Sequence, residues 1–291
     1  MRAMKILVTG GDGMLGSDVL PIISDRFEIH SPTISELDVR DAVAVFTAIR
    51  DGKFDWVLHM AALTDLDWCE DHRDETFTVN VGGTENIAKA CAKYGCRMVY
   101  ISTSGIFSGR LGRPYIEDDT PKPVNVYGLS KYQGELVIQK NLPEEHMLIL
   151  RVGWLFGGGK HDNKFVGKMF RLMQSLPRVQ AVADIWGSPN YSIDIGKLVV
   201  NMLSENVSGI FHIANSGEPA SRYDLAVAIR DAAGIATEVE AVPAEKFPTR
   251  AFRPPVEAIA SVRLHEKGFE MRNWHEALNE YVARLKDETT N

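Results

Sequence analysis

"KILVTGGDGMLG", Lys5 to Gly16, decides the fold. "KILVT" is a short aliphatic run, too brief for a signal peptide's apolar core or a membrane span, so it reads as a buried strand. Gly10, Gly13 and Gly16 follow with G-x-x-G-x-x-G spacing, and a helical pattern begins at once. A strand that turns through glycines into a helix is built to receive a dinucleotide. Gly10 permits the tight turn, Gly13 lets the backbone approach a pyrophosphate, and Gly16 lets helix and strand pack closely. The anion would rest at the helix N-terminus, where free N–H groups and the helix dipole favour negative charge.

Outward from this turn, "FEIH", "WVLHMAA", "RMVYIST" and "MLILRV" are further short strands with the apolar character of parallel strands buried on both faces. "AVAVFTAIR" and "TENIAKACAKYG" carry helical periodicity between them, the second closing on Gly95. This alternation predicts an α/β fold, a doubly wound parallel sheet of the Rossmann kind, with "GIFHIAN" (Gly209 to Asn215) returning late to the same sheet. Regularity fades after Phe156. The helical stretches "FVGKMFRLMQSL", "SRYDLAVAIRDAAG" and "NWHEALNEYVARL" are separated by glycine-rich and proline-rich segments. The expected division is a dinucleotide-binding domain of residues 1–156 and 186–215, with a smaller, discontinuous substrate lobe of residues 157–185 and 216–291 over the C-terminal edge of the sheet, where ligands of such sheets bind.

The bulk numbers narrow the function. The 291 residues carry a net charge of −7 and form no basic stripe, which argues against a general nucleic-acid binder. No apolar run has the length of a membrane span. Cys69, Cys91 and Cys96 make no C-x-x-C pair, and a cytoplasmic protein with reduced, packed thiols is expected.

Selection between the two nicotinamide dinucleotides rests on the tip of the second strand. His30, Ser31 and Thr33 stand where an aspartate would select NAD, and no arginine at that tip clearly attracts a 2′-phosphate. Asp38 comes too late for the ribose and is expected at the adenine. NADP(H) is therefore favoured, with NAD(H) also admitted.

"YGLSK" supplies the chemistry. Tyr127 and Lys131, four residues apart, share a helix face. A free phenol titrates near pH 10, and a neighbouring ammonium should bring it down towards the working range. Thr103, at the end of "RMVYIST", adds a hydroxyl at the sheet edge where a carbonyl would be bound. As an isolated pair Tyr127 and Lys131 would read as an exposed helical couple; with Thr103 and the glycine turn they read as catalytic.

With these pieces in place the sequence resembles the extended short-chain dehydrogenase/reductases, and within them the dTDP-4-dehydrorhamnose reductases. The matching segments run nearly the whole length, among them "TGGDGMLG", "HMAALTDLDWCE", "VNVGGTENIA", "ISTSGIFSG", "RPYIEDDTPKPVNVYGLSKYQGE", "RVGWLFG", "WGSPNYSIDIGKL" and "FRPPVEAIAS". The resemblance implies that Thr103, Tyr127 and Lys131 form a catalytic triad, with Lys131 also holding the nicotinamide ribose. It implies cofactor contacts at Met14, Leu15, Val39, Met60, Ala61, Ala62, Thr64 and Asn80, beside Gly10, Gly13, Gly16 and Asp38. It also implies a nucleotide-sugar substrate near Ser104, Trp154, Asn190, Tyr191 and Arg253, and a homodimer formed through helices, as enzymes of this fold commonly are.

Two departures bear on the substrate. The branch's S-T-D-Y-V-F-D-G reads "STSGIFSG" here, so Ser104 and Gly105 replace an acid and a tyrosine that would face the sugar, and the pocket should be wider and less polar. Dehydratase chemistry, which needs an Asp-Glu pair after the threonine, is disfavoured. The "RPxxSxLD"-like ending has become "RPPVEAIAS". The reading is a reductase of a nucleotide-activated 4-keto-6-deoxy sugar. The alternatives are an epimerase of the same fold and a non-catalytic subunit resembling the regulatory subunit of methionine adenosyltransferase. Elsewhere the blander readings prevail: His59 as a satisfied buried histidine, Cys69 as a packed thiol, and His161 with Asp162 as part of a solvated loop rather than a metal site.

Overall fold

The structure, a computed structural model of the chain, describes residues 3–159 and 162–290. Six parallel strands form the central sheet, in the spatial order Gly209–Ile213, Met147–Val152, Arg97–Thr103, Trp56–His59, Lys5–Thr9, Glu28–His30. Each stretch read as a strand is present, and Gly209–Ile213 returns to pair with Met147–Val152. Lys5–Thr9 is flanked by Glu28–His30 on one side and Trp56–His59 on the other. The winding therefore reverses beside the glycine turn, and a crevice opens at the carboxyl ends of these strands.

Helices cover both faces, which is why Ile6, Leu7 and Val8 in the first strand are all fully buried. On one face Met14–Ser24 and Ser192–Ser204 contribute Val19, Ile23, Ile195 and Val199, joined by Leu264, Phe269 and Met271. On the other face Ala42–Gly52, Thr84–Tyr94 and Val126–Asn141 contribute Val45, Ile49, Ile87, Cys91 and Ile138. Thr84–Tyr94 ends on Gly95 with a left-handed φ of 73°, as its position after the last periodic residue predicts.

A separate apolar cluster builds the lobe. Helices Phe165–Met173, Arg222–Ala233 and Trp274–Thr290 meet through Val166, Phe170, Leu225, Ile229, Leu278 and Val282. Phe156 and Tyr191 pack into this cluster, whereas Leu264, Phe269 and Met271 pack onto the sheet, so the two cores exchange segments along the chain. Three small strand pairs tie the lobe together: Arg178–Val182 with Glu238–Val242, Trp154–Phe156 with Pro189–Tyr191, and Ala220–Ser221 with Trp186–Gly187.

The glycine-rich loop after Phe156 departs from the solvated loop expected of it. Asp162 is fully buried; its carboxylate accepts hydrogen bonds from the Tyr281 hydroxyl at 2.9 Å and from the amides of Lys164 and Gly167 at 2.7 and 2.8 Å. A polar segment is drawn inside because a distant helix supplies its partners. His161 lies outside the described residues. Cys69, Cys91 and Cys96 are free and buried. Among the described residues no helix is long and apolar enough to cross a membrane, and no cluster of three or more His, Cys, Asp or Glu side chains could hold a metal ion.

Candidate active site

The crevice holds a cavity of about 630 Å³, within the range of small-molecule and cofactor sites. At its sheet end Gly10 turns with φ of 74°, and a Cβ there would lie 2.6 Å from the Ala61 amide nitrogen, so only glycine fits. A Cβ on Gly16 would sit 2.2 Å from the Gly11 carbonyl oxygen, which accounts for the third glycine. Gly13 caps the helix Met14–Ser24 in an extended conformation without a side-chain cap. The first-turn amides are thus left to a ligand.

Gly10, Gly13, Met14, Leu15, Asp38, Val39, Met60, Ala61, Ala62 and Thr64 all line the cavity. Gly16 does not; it packs behind the turn. Asn80 stands behind the wall too. It sits in a π-helical turn, Thr78–Gly83, where its side chain accepts from the Leu63 amide at 2.8 Å and donates to the Leu63 carbonyl at 3.0 Å and to Ser130 Oγ at 2.9 Å. Asn80 therefore pins the wall segment to the helix that carries Tyr127. Of the residues weighed at the second strand tip, His30, Ser31 and Thr33 stay out of the cavity, whose wall there is Pro32, Ile34 and Leu37. Arg40, passed over in the sequence because it lies beyond the strand tip, also lines this end, with its Nη2 2.6 Å from Asp38 Oδ2.

Tyr127 and Lys131 lie on Val126–Asn141, whose start is doubly fixed. The Asn125 side chain accepts from the Gly128 amide and Glu70 Oε1 accepts from the Val126 amide, both at 2.8 Å. The residue after the tyrosine must be small: a Cβ on Gly128 would come within 2.1 Å of the Gly105 carbonyl oxygen. That approach delivers Tyr127 to Thr103 at the tip of Arg97–Thr103, and Thr103, Ser104, Tyr127 and Lys131 share the cavity wall. The triad residues are thus brought together.

Their electrostatics differ from the simple expectation. Burial pushes the Tyr127 phenol up to about 12, and hydrogen bonding with Thr103 only partly opposes it. The Lys131 ammonium sits 4.0 Å from the centre of the Tyr100 ring. Burial lowers this lysine to about 7, while Glu135, two turns beyond Tyr127, pulls it back up. Tyr127 is therefore a neutral phenol at working pH, the form able to give up a proton. Behind them His59 is the satisfied histidine expected, held between Thr9 Oγ1 at 2.7 Å and Thr84 Oγ1 at 3.0 Å and pushed down to about 3 by burial.

The lobe end of the cavity is made by Trp154, Lys164, Phe165, Arg222, Arg253 and Glu257. Trp154 Nε1 donates to Glu257 Oε2 at 2.6 Å. Its indole lies on Gly187, where a Cβ would come within 2.3 Å of the ring. Arg253 Nη2 is 2.9 Å from Asp67 Oδ1. Trp154, Arg253 and Ser104 thus reach the cavity, whereas Asn190 and Tyr191 do not. Asn190 is fully buried and donates to the Ile213 carbonyl at 2.5 Å; Tyr191 stacks on Phe156 in the lobe core, with its amide donating to Asn215 Oδ1. Neighbouring strand residues face opposite ways: Tyr191 packs on Tyr281 of the helix Trp274–Thr290, and Asn190 turns to the end of the strand Gly209–Ile213, so neither side chain reaches the cavity. Sequence reading missed Arg222 and Glu257, for which the only signal was the glutamate at the serine position of the "RPxxSxLD"-like ending.

Known proteins resemble the chain over nearly its whole length. The chain is 32% identical over 279 residues to a spore coat polysaccharide biosynthesis protein of Bacillus subtilis, with 96% of each chain covered. It is 34% identical to a dTDP-4-dehydrorhamnose reductase of Mycolicibacterium smegmatis over 300 residues, covering 100% of this chain and 88% of that one. A crystal structure of dTDP-4-dehydrorhamnose reductase from Bacillus anthracis in complex with NADP superposes with a TM-score of 0.92 at 30% identity, covering 96% of this chain and 99% of that one. The model of the RmlD substrate binding domain matches residues 4–287, and the chain belongs to that family.

Proposed function

We propose that the protein is an NADPH-dependent reductase of a nucleotide-activated 4-keto-6-deoxy sugar, of the dTDP-4-dehydrorhamnose reductase kind. The observation that carries this reading is the convergence of Thr103, Tyr127 and Lys131 on a cavity whose other wall is the glycine turn. The relatives' names support the substrate class, and the Bacillus anthracis complex supports NADP. The residues present fit a nicotinamide dinucleotide: the uncapped helix start at Gly13 suits its pyrophosphate, and Arg40 and Asp38 stand at the adenosine end.

When bound, the nicotinamide supplies hydride to the ketone carbon. Tyr127 donates its phenolic proton to the ketone oxygen. Lys131, charged, stabilises the phenolate left behind and holds the ribose. Thr103 orients the carbonyl by hydrogen bonding, and Trp154, Ser104 and Arg253 position the nucleotide sugar. Asn190 and Tyr191 act from behind, supporting the strand that carries Trp154 through its pairing with Pro189–Tyr191.

The test is a panel of nucleotide keto-sugars with NADPH absorbance followed. One NADPH consumed per sugar reduced is expected. Epimerised product with no net NADPH loss would replace the reading by an epimerase, and no turnover of any keto-sugar would end it.

Two further outcomes follow from the geometry. Lys131 is an ammonium below about 7 and an amine above it, because burial lowers its proton affinity. The charged form is the one required, so kcat/KM for NADPH should fall towards tenfold per pH unit on the alkaline side of that value. A profile flat to high pH would contradict it. Gly187→Ala should push the Trp154 indole off its seat and raise KM for the sugar ~10-fold or more, with KM for NADPH unchanged. Steady-state kinetics on both substrates checks this.

A further inference from the structure

Arg222 has no part in the glycine turn or the triad, yet it is built into the cavity. It opens the helix Arg222–Ala233, whose start is fixed by a capping box between Ser221 and Asp224. Its guanidinium carbon lies 3.7 Å from the centre of the Trp154 ring and 4.9 Å from that of Phe165. Two aromatic rings thus hold the plane of the group. Among the described residues no acceptor takes a hydrogen bond from it, so its N–H edge is left for a ligand at the cavity wall. Burial lowers even this guanidinium to about 10, with Arg253 adding to the effect and Glu257 opposing it.

Arg253 supplies the second observation. Its Nη2 is engaged by Asp67, but its Nη1 is buried with no partner. A buried guanidinium nitrogen without an acceptor is costly, and its persistence in a cavity wall points to an acceptor that arrives with the ligand. Glu257, between the influence of the two arginines, is tied to Trp154 and pushed towards its protonated form by burial.

Planar guanidinium forks match phosphoryl oxygens, and two of them match two linked phosphates. The cofactor's own pyrophosphate has its place at Gly10–Leu15, at the sheet end of the cavity. A second anion hole at the lobe end therefore calls for a second anion-bearing ligand. We propose that Arg222, its plane held by Trp154 and Phe165, grips the diphosphate of the nucleotide-activated sugar together with Arg253. The proposal rests on the reductase reading for the identity of that substrate, but its test needs no turnover.

The full chain is titrated calorimetrically with deoxythymidine diphosphate, thymidine and NADPH, as the native protein and as R222M and R222K. R222M should weaken the diphosphate ~10- to 100-fold, the effect of losing a charge-assisted fork. Thymidine and NADPH should stay within about twofold of native, which also shows that the variant is folded. R222K, which keeps the charge and loses the planar fork, should fall between. Native-like diphosphate binding by R222M overturns the proposal, as does a parallel loss of NADPH affinity or the failure of the native chain to bind the diphosphate. Failure of the reductase reading would appear separately, as absent keto-sugar turnover by the native protein.

Discussion

Phenylalanine in place of Tyr127 is expected to lower kcat for keto-sugar reduction by ~10²- to 10⁴-fold, the usual worth of a positioned general acid. The ring is retained, so the packing of Val126–Asn141 against Gly105 should survive and NADPH should bind with near-native affinity. What disappears is the phenol that, alone among the described residues, stands with Thr103 and Lys131 on the cavity wall. Because Tyr127 is pushed up to about 12, it is fully protonated at neutral pH, and no gain in activity on raising the pH towards 9 should come from its ionisation. Stopped-flow absorbance of NADPH with the keto-sugar measures the effect. A Tyr127→Phe variant retaining a tenth or more of native kcat would remove this residue from the chemistry.

The second large effect is on stability. Glu135 is fully buried on the helix of Tyr127 and Lys131, and it receives Nε and Nη2 of Arg151, the latter at 2.8 Å, as well as the hydroxyl of Ser102 at 2.5 Å. Arg151, itself only 4% exposed, reaches on to the Glu117 carbonyl. Glu135→Gln removes the charge and leaves the guanidinium uncompensated in the interior, which should destabilise the fold by ~3–5 kcal/mol. Urea unfolding at neutral pH reads this out, and a loss below about 1 kcal/mol would show that the pair contributes little. The same substitution removes the group that holds Lys131 towards its charged form, so the alkaline fall in kcat/KM should begin at lower pH. Deleting both partners, as Glu135→Leu with Arg151→Met, should cost less than the single change, since no buried charge then remains.

The glycine turn, the strand and helix alternation and the tyrosine–lysine spacing were legible because each is local. Gly10 takes its left-handed φ within the turn, Gly16 meets Gly11 in the same turn, and Tyr127 and Lys131 share a helix face whatever surrounds the helix. Even Thr103 could be placed, since strand tips of a doubly wound sheet converge on one edge. The proton affinities were not legible. A neighbouring ammonium argued for an acidic tyrosine, but burial dominates the Tyr127 phenol and is opposed only by its hydrogen bond with Thr103. Asp162 was misjudged for a related reason: a run of glycines and polar residues looks solvated until Tyr281 arrives from the far end of the chain.

By itself the sequence determined the architecture and the reacting end of the site, because hydrogen-bonding periodicity and the left-handed turn open to glycine operate over a few residues. Only the tertiary structure decided the lobe end. Trp154, Arg222 and Glu257 come from separate segments joined through Trp186–Gly187, which pairs with Ala220–Ser221 and bridges Val256. No spacing rule links them. Their meeting follows from the packing of the whole lobe, and so does the withdrawal of Asn190 and Tyr191 from the cavity, since burial and charge pairing are properties of the folded assembly of segments and not of any one of them.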